Sequence, residues 1–338
     1  METKEFEYYL PPELIAQTPV EPRDSSRLLI LNRQERSVDE GIFRDVVNFI
    51  KPGEVLVLND TRVIPARLQG RLPTGGKAEV FLLKTMGEGR WEALIKPGRR
   101  LQPGSCVLFG GVEVEVLEKT SYGGRTIKFP SDEAVHHIQE VYGTIPLPPY
   151  IKTPLTDHER YQTVFSLREG STAAPTAALH FTPRLLKELE DKGVEIVYIT
   201  LHMGLTSFRP IKEEVLEEHK LEKEYFSLSP ETAFKINRAK EKGLRVFACG
   251  TDAVRTLETA GQEDRLVEEG EGYTELFILP GYKFKVVDAL ITNLHLPRSS
   301  HLVLVSAFAG KDLVFEAYRY AIEKRFRFYS FGDVTLIL

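Results

Sequence analysis

Capped helical segments alternate with short apolar segments from about residue 151 to the C-terminus, and this alternation constrains the fold most. Thr182 precedes a segment that opens with Pro183 and stops at Gly193, which are the usual boundary residues of a helix. Two more helical segments, SPETAFKINRAKEKG and TDAVRTLETAG, alternate with the apolar segments VEIVYITLHMG, LRVFACGT and FKVVDALITNLH, and SSHLVLVSAFAG opens the last helical region. This order predicts an α/β fold with a mostly parallel sheet flanked by helices.

The first 61 residues show the same alternation of strand-like and helical segments, whereas residues 62–150 do not. RLLILN and EVLVLND are strand-like, and FRDVVNFI between them has helical spacing. Between 62 and 150, many short strand-like segments alternate with turn sequences such as PTGG, KPGRR and SYGG. That texture predicts a small antiparallel β-barrel. We therefore expect a discontinuous α/β catalytic domain, 1–61 with 151–338, and an inserted barrel domain, 62–150.

Composition sets the broad class of protein. The chain has 338 residues, 42% of them hydrophobic and 28% charged, as in a globular protein with a core. No apolar run has the length of a membrane helix, and the charged N-terminus lacks a signal-peptide core, so no membrane partner is expected. Its two cysteines form no disulfide framework, which indicates a reducing cytoplasm.

The net charge of −5 provides no global attraction to nucleic acid. Much of the negative charge lies in EEVLEEHKLEKEY and EDRLVEEGEGY, and such acidic runs are typical of solvated surfaces. A local basic surface therefore remains compatible with the composition.

Polar side chains follow four of the predicted strands. VLVLN ends at Asn59–Arg62, VYITL at His202, VFACG at Thr251 and Asp252, and ALITNL at Asn293 and His295. Ligands of open α/β sheets bind at the carboxyl ends of the strands, so this pattern favours an enzyme over an interaction domain.

Each of these residues also has a purely structural interpretation. His202 can bond a neighbouring carbonyl group, Asp60 can accept in an Asx turn, and Asn293 can be a turn residue. His180, in STAAPTAALHF, can be a buried polar group before a helix. Ser299 and Ser300 are better explained as N-caps than as nucleophiles.

Several common catalytic motifs are missing from the sequence. It has no HExxH or paired-cysteine metal site, no GxSxG nucleophile elbow, no GxGxxG fingerprint and no Walker A lysine. A metal, nicotinamide or ATP site is therefore not predicted.

Several unrelated motifs nevertheless follow one another in the order of a single enzyme family. They are ELIAQTPVEPRDSSRLL, VLNDTRVIPARL, RYQTVFS, AAPTAALHF, TLHMGLTSFRP, CGTDAVRTLE, PGYKFKVVDALITNLHLPRSSHLVLVSAFAG and RFRFYSFGD. With these motifs the chain resembles the S-adenosylmethionine:tRNA ribosyltransferase-isomerases of queuosine biosynthesis over essentially its whole length.

The resemblance implies a reaction that composition cannot reveal. The ribosyl group of S-adenosylmethionine is transferred to 7-aminomethyl-7-deazaguanine at the tRNA wobble position and rearranged, which gives epoxyqueuosine, adenine and methionine. S-adenosylmethionine is then a co-substrate, and no metal or further cofactor is implied. The expected partners are S-adenosylmethionine and the tRNA anticodon stem-loop. A monomer is the default expectation, although the sequence does not determine the oligomeric state.

Candidate site residues follow from the motifs and from the chemistry of this reaction. The proposed acid–base residues are His180, His202, His295 and Asp60. The expected substrate-binding residues are Arg62, Gln162, Pro175, Thr176, Arg209, Thr251, Asp252, Arg255 and Asn293. Imidazoles can act as acid or base near neutral pH, and arginines bind carboxylates and phosphates bidentately.

The chain departs from the family pattern at two places. Leu205 lies in HMGLTSF where HVGAGTF is expected, and Asp252 lies in GTDAVR where GTTSVR is expected. Both departures affect the expected substrate contacts and leave the predicted fold unchanged.

A basic and aromatic segment near the C-terminus is a candidate RNA surface. Its members are Tyr282, Lys283, Phe284, Lys285, Arg298, Lys324, Arg325, Phe326, Arg327 and Phe328. Aromatic rings can stack on unpaired bases, but the alternating phenylalanines also fit a buried core. The rival functions are another α/β enzyme acting on a small nucleoside, or a non-catalytic RNA-binding protein with an OB-like module.

Overall fold

The computed structural model describes residues 1–120, 123–204 and 210–338. They divide into two compact units: Met1–Thr61 with Pro148–Arg168 and Ala174–Leu338, and Arg62–Leu147 with Glu169–Ala173. The sequence-based boundaries were 61/62 and 150/151. The segment 169–173 lies with the smaller unit, in which the backbone N–H of Ile64 donates to the carbonyl of Ser171 at 3.0 Å.

Eighteen strands and six α-helices are present in the described residues. The strands are β1 (Arg27–Asn32), β2 (Ser37–Ile42), β3 (Val55–Asn59), β4 (Thr61–Val63), β5 (Arg67–Arg71), β6 (Lys77–Gly87), β7 (Arg90–Lys96), β8 (Cys106–Phe109), β9 (Val112–Lys119), β10 (Arg125–Lys128), β11 (Gly143–Thr144), β12 (Arg168–Ser171), β13 (Glu195–Leu201), β14 (Glu224–Leu228), β15 (Val246–Cys249), β16 (Gly270–Thr274), β17 (Ala289–Asn293) and β18 (Val334–Ile337). The helices are α1 (Asp132–Tyr142), α2 (Pro183–Asp191), α3 (Pro230–Glu241), α4 (Thr251–Ala260), α5 (Ser300–Ala309) and α6 (Lys311–Glu323).

The larger unit contains a nine-stranded sheet in the order β16-β14-β13-β3-β15-β17-β18-β1-β2. Strands β13, β3, β15 and β17 are mutually parallel, and β18 is parallel to β1. The other four neighbouring pairs are antiparallel. The expected mostly parallel sheet is therefore not confirmed, and the sheet is mixed.

Short connections explain part of the mixed character. A parallel pair needs a crossover of a dozen or more residues, usually a helix, whereas a tight turn returns the chain antiparallel. Only residues 33–36 separate β1 from β2, so these strands form a hairpin. Helices do separate the strands of the parallel quartet, as the alternating sequence pattern predicted.

Helix boundaries in the larger unit follow their predicted caps. The hydroxyl of Thr182 accepts from the N–H of Leu185 at 3.1 Å, and that of Ser299 accepts from Leu302 at 3.2 Å. Ser299 is thus an N-cap, as predicted. In α2, Leu185 and Leu189 are fully buried four residues apart and pack into the core under the sheet. The segment FRDVVNFI forms a short 3-10 helix over Phe43–Asn48.

The smaller unit is a closed six-stranded antiparallel barrel, which confirms the predicted barrel. Its order is β5-β6-β7-β10-β9-β8, β11 pairs with β5, and one pair, Arg71 with Leu108, closes the barrel between β5 and β8. Gly70 permits this closure because a Cβ atom there would lie 2.7 Å from Val107 and 2.8 Å from Phe109.

Two further observations concern membrane-spanning helices and the cysteines. Within the described ranges, the helices are all too short or too polar to cross a membrane. Both cysteines, Cys106 and Cys249, are free thiols.

Candidate active site

The four mutually parallel strands of the larger unit lie side by side in the order β13, β3, β15, β17. Because they are parallel, their carboxyl ends share one edge of the sheet, where α/β proteins bind ligands. This edge carries six polar residues, here called the strand-end cluster: Asn59, Thr61, His202, Glu224, Asp252 and Arg255. Hydrogen bonds connect Asn59, Thr61, His202 and Asp252, and the ion pair of Glu224 and Arg255 acts on Asp252 electrostatically.

Asn59 is the centre of the strand-end cluster. Its side chain is fully buried at the end of β3. The amide nitrogen donates to the Asp252 carboxylate at 2.7 Å and to the carbonyl of Leu201 at 3.1 Å. The amide oxygen accepts from the backbone N–H groups of Thr61 and Leu201, at 3.1 and 3.0 Å. One side chain thus joins the ends of β3 and β13 to the start of α4.

His202 follows β13 and is held by two contacts. Its Nδ1 lies 2.8 Å from the hydroxyl of Thr61, and its ring stacks on Tyr225 with centroids 5.5 Å apart. Burial lowers the pKa of the imidazole to about 4. His202 is therefore neutral near pH 7 and can accept a proton.

Asp252 is buried in the first turn of α4, beside Gly250. Burial raises the pKa of its carboxyl group to about 6, opposed by the hydrogen bond from Asn59. Gly250 has a φ of +94°, and a Cβ atom there would lie 2.0 Å from a carboxylate oxygen of Asp252. The departure from the family pattern at this position thus adds an acid that titrates close to neutral pH.

Glu224 and Arg255 form a buried ion pair in the same cluster. The side chain of Glu224 is 3% exposed and that of Arg255 is 11% exposed. The other Glu224 carboxylate oxygen accepts from the N–H of Gly204 at 2.8 Å, and Arg255 also donates to the carbonyl of Leu276 at 3.1 Å. Glu224 is not among the residues predicted from the sequence, because it belongs to an acidic run that is typical of a solvated surface. Its position in a strand, opening EYFSL, was the available signal.

His180 belongs to a second group of polar residues at the end of β17. Its Nδ1 lies 2.8 Å from the hydroxyl of Ser26, and its Nε2 lies 3.5 Å from the amide of Asn293. Asn293 accepts from the hydroxyl of Thr176 at 2.9 Å. Burial lowers the pKa of His180 to about 3, so its ring is neutral at physiological pH.

His295 is enclosed in a network of its own. Its Nε2 lies 2.9 Å from the Thr292 hydroxyl, and its N–H donates to the Tyr318 hydroxyl at 2.9 Å. Its carbonyl accepts from Tyr8, and its ring stacks on His301 with centroids 5.2 Å apart. Burial lowers the pKa of His295 well below the ordinary value. These contacts fit a structural role at least as well as a catalytic one.

The remaining predicted residues are dispersed. Asp60 accepts from the hydroxyl of Thr200 at 2.7 Å, and burial raises its pKa. Gln162 is 2% exposed and its carbonyl accepts from Arg23 at 2.8 Å. Thr251 is the first residue of α4, and Pro175 is buried directly before the 3-10 helix Thr176–His180.

Two predicted site residues and one departure from the family pattern lie outside the described part of the larger unit. Arg62 belongs to the smaller unit. Arg209 and the departure at Leu205 lie outside the described residues. Along the described parts of the chain, no group of three or more His, Cys, Asp or Glu side chains is arranged to hold a metal ion.

The basic and aromatic segment near the C-terminus is only partly available to RNA. Phe326 and Phe328 are fully buried, so they pack in the core, as the alternating pattern allowed. Lys283, Lys324 and Arg325 are exposed. The prediction that the aromatic rings of this segment stack on RNA bases is therefore wrong for Phe326 and Phe328.

Buried imidazole, carboxylate, amide and hydroxyl groups at the carboxyl edge of parallel strands form the arrangement of an α/β enzyme active site. The model of a family described as "Queuosine biosynthesis protein" matches residues 3–337. The chain therefore belongs to the queuosine biosynthesis protein family.

Named relatives cover the full length of the chain. The S-adenosylmethionine:tRNA ribosyltransferase-isomerase of Halothermothrix orenii is 50% identical over 341 residues, with 100% of both chains covered. That of Dehalococcoides mccartyi is 53% identical over 347 residues, again with 100% of both covered. A solved relative is the crystal structure of a Thermotoga maritima S-adenosylmethionine tRNA ribosyltransferase, whose sequence is 40% identical to this chain. The match covers 99% of this chain and 100% of the Thermotoga chain, with a TM-score of 0.56.

Proposed function

We propose that the chain is an S-adenosylmethionine:tRNA ribosyltransferase-isomerase. It transfers and isomerises the ribosyl group of S-adenosylmethionine onto 7-aminomethyl-7-deazaguanine at the tRNA wobble position, giving epoxyqueuosine, adenine and methionine. The observation that carries the proposal is the full-length identity of 50% and 53% with relatives of that name. The strand-end cluster supports it because the reaction needs both a base and an acid.

The larger unit is the catalytic domain in this proposal, and the strand-end cluster supplies the proton transfers. The sulfonium acidifies the C5′–H of the ribose, and the neutral imidazole of His202 accepts that proton. Adenine leaves when a ring nitrogen gains a proton, and Asp252 is the assigned donor because burial raises its pKa to about 6, so that a larger fraction is protonated near neutral pH than for an exposed aspartate. Loss of the C5′ proton breaks the C4′–O4′ bond, and the freed O4′ electrons expel adenine, which leaves an aldehyde at C1′. The aminomethyl nitrogen adds to C4′ and loses a proton, and C5′ then forms a bond to C1′. The C1′ oxygen displaces methionine from C5′ as the epoxide closes.

Several of the other predicted residues are assigned to binding. The group of His180, Asn293 and Thr176 offers amide, hydroxyl and imidazole groups to the ribose or the base. Arg62 and Arg209 are assigned to the methionine carboxylate or an RNA phosphate, whereas Arg255 is already neutralised by Glu224. S-adenosylmethionine acts as co-substrate, and the proposal invokes no metal or further cofactor. The enzyme acts as a cytoplasmic monomer on the anticodon stem-loop.

The test combines the chain with S-adenosylmethionine and a tRNA that carries the aminomethyl precursor. We expect adenine release that depends on this tRNA, and epoxyqueuosine in the nucleosides analysed by mass spectrometry. His202→Gln should lower the rate of adenine release by about 100-fold or more. Exposed His136→Gln is the matched control and should keep the wild-type rate.

Two outcomes would contradict the proposal. Adenine release that is indifferent to the tRNA would favour another enzyme acting on a small nucleoside. tRNA binding without adenine release would favour a non-catalytic RNA-binding protein. Normal turnover by His202→Gln would overturn only the assignment of the base.

A further inference from the structure

The barrel carries an open groove that the proposed chemistry does not use. It lies at the seam where β5 and β8 close the barrel, and its volume of about 750 Å³ is within the usual range of ligand sites. We call it the seam groove. Its polar and aromatic lining residues are Gln69, Arg71, Lys77 and Tyr142, and its rim includes Gly110 and Gly111.

The charge of the seam groove is positive. Arg71 and Lys77 are both exposed, and no Asp or Glu is among the described residues that line the groove. Arg71 donates to the carbonyl of Gly75 at 3.2 Å, which leaves its positive charge uncompensated. Glu79, two residues beyond Lys77, is already paired with Arg67 and Lys96. The groove can therefore offer two cationic side chains to an anion.

The smaller unit is also more positively charged than the chain as a whole. The residues of the smaller unit include 12 Lys and Arg against 10 Asp and Glu, although the whole chain has a net charge of −5. Residues 67–100, which form β5, β6 and β7, carry 8 Lys and Arg against 3 Asp and Glu. A polyanion is thus attracted to this side of the barrel and not to the chain as a whole.

The shape of the groove also suits a nucleic acid. Gly110 and Gly111 form the turn between β8 and β9 with φ values of +56° and +94°, and they place no side chain at the rim. A Cβ atom at residue 110 would lie 2.0 Å from the hydroxyl of Tyr142. The glycine therefore leaves room for this half-buried ring, which packs against Phe109 with centroids 5.7 Å apart and also lines the groove, where its remaining surface can contact a base.

We infer that the seam groove binds RNA, and that its occupant is the tRNA substrate. Arg71 and Lys77 contact phosphates, and Tyr142 contacts a base. The identity of the RNA rests on the proposed function, whereas the RNA chemistry follows from the charge and shape of the groove.

The experiment measures binding of a fluorescent tRNA transcript to the full chain by anisotropy, without S-adenosylmethionine, over a range of salt concentrations. We expect the double variant Arg71→Gln, Lys77→Gln to bind about tenfold more weakly at low salt. The slope of log Kd against log salt should fall by about one to two, since each lost phosphate contact removes about one unit or less. Tyr142→Leu should weaken binding and leave that slope unchanged.

Lys119→Gln is the matched control, because Lys119 is an exposed lysine of the same barrel outside the groove. It should bind tRNA almost as the wild type does. Wild-type affinity in the double variant, an equal loss in Lys119→Gln, or no binding by the wild type would overturn the inference. A double variant whose oligomeric state differs from that of the wild type would also overturn the inference, because the groove would then bind a second copy of the chain. Since the assay contains no S-adenosylmethionine, these outcomes are separate from a failure of the proposed reaction.

Discussion

At the scale of single residues, burial decides what each polar group can do. His202 and Asp252 both lie in the strand-end cluster, yet burial moves their pKa values in opposite directions, to about 4 and about 6. In each case the low-dielectric surroundings disfavour the charged form. The result is a neutral base and an acid that titrates near neutral pH. Two separate sequence motifs contain these residues, but the motifs do not show which residue is the base and which is the acid.

Asp252→Asn tests this division through stability. The folded-state pKa of Asp252 lies above the unfolded value, so the folded chain holds an extra proton between about pH 4 and 6. Stability therefore falls as the pH rises through that window, and the cost persists above pH 6. We expect Asp252→Asn to raise the free energy of unfolding by about 2 kcal/mol at pH 8, and by little below pH 4.

Denaturant unfolding at the two pH values measures the effect. Asp312→Asn is the matched control, since Asp312 is exposed at the corresponding second position of α6. It should change the free energy of unfolding by less than about 0.5 kcal/mol at both pH values. Equal stability of Asp252→Asn and wild type at pH 8 would refute the proposed ionisation of Asp252.

At the scale of elements, the Glu224–Arg255 pair connects β14 to α4, and the bond to Gly204 connects both to the segment after β13. One carboxylate therefore joins three segments, and two of them, α4 and the segment after β13, carry predicted site residues. Removing one member of a buried pair leaves the other charge without compensation, which costs far more than breaking an exposed pair.

A double-mutant cycle measures this connection. We expect Glu224→Gln to lower the free energy of unfolding by about 3 kcal/mol, and the double variant Glu224→Gln, Arg255→Met to recover a large part of that loss. The exposed pair Glu195–Arg238 provides the control cycle, with a coupling of about 0.5 kcal/mol or less. Additive effects at Glu224 and Arg255 would show that their contact does not stabilise the fold.

At the scale of the whole molecule, the buried histidines make the fold sensitive to acid. The pKa values of His180, His202 and His301 are lowered to about 3, 4 and 4, and that of His295 is also lowered. The folded chain therefore binds fewer protons than the unfolded chain between about pH 4 and 6.5. The stability from these groups is complete above pH 6.5 and is lost as the pH falls towards 4.

We expect the midpoint of thermal unfolding to fall steadily as the pH is lowered from 6.5 to 4. The four histidines outweigh Asp252, which acts in the opposite direction over part of this range. His180→Gln should flatten the pH dependence by roughly 3 kcal/mol at pH 4, and His136→Gln should leave it unchanged. A profile for His180→Gln that is parallel to wild type would contradict a buried, neutral His180.

Much of the fold was predictable because helix caps and strand periodicity are local. Thr182 and Ser299 cap α2 and α5 as expected, and the inserted barrel was evident from its closely spaced turns. The mixed sheet was not predictable in the same way. Direction depends on how each connection returns the chain, and hydrophobic periodicity is the same for parallel and antiparallel neighbours.

The candidate site was predictable in its location but not in its connections. The strand ends at Asn59, His202, Asp252 and Asn293 followed from the sequence. The bond between Asn59 and Asp252 joins residues 193 positions apart. No local pattern contains such a pair, and the burial of Glu224 inside an acidic run depends on which way one face of β14 points.

The sequence by itself determined the family, the alternation of elements, the helix caps and the strand ends where chemistry is expected. These properties depend on local residue types and on motifs in a fixed order. Only the tertiary structure decided the mixed sheet, the barrel closure at Arg71 and Leu108, the hydrogen bond between Asn59 and Asp252, and the ion pair between Glu224 and Arg255. Pairing, burial and the pKa shifts that burial causes all arise between residues distant in the chain, so they exist only once the chain is folded.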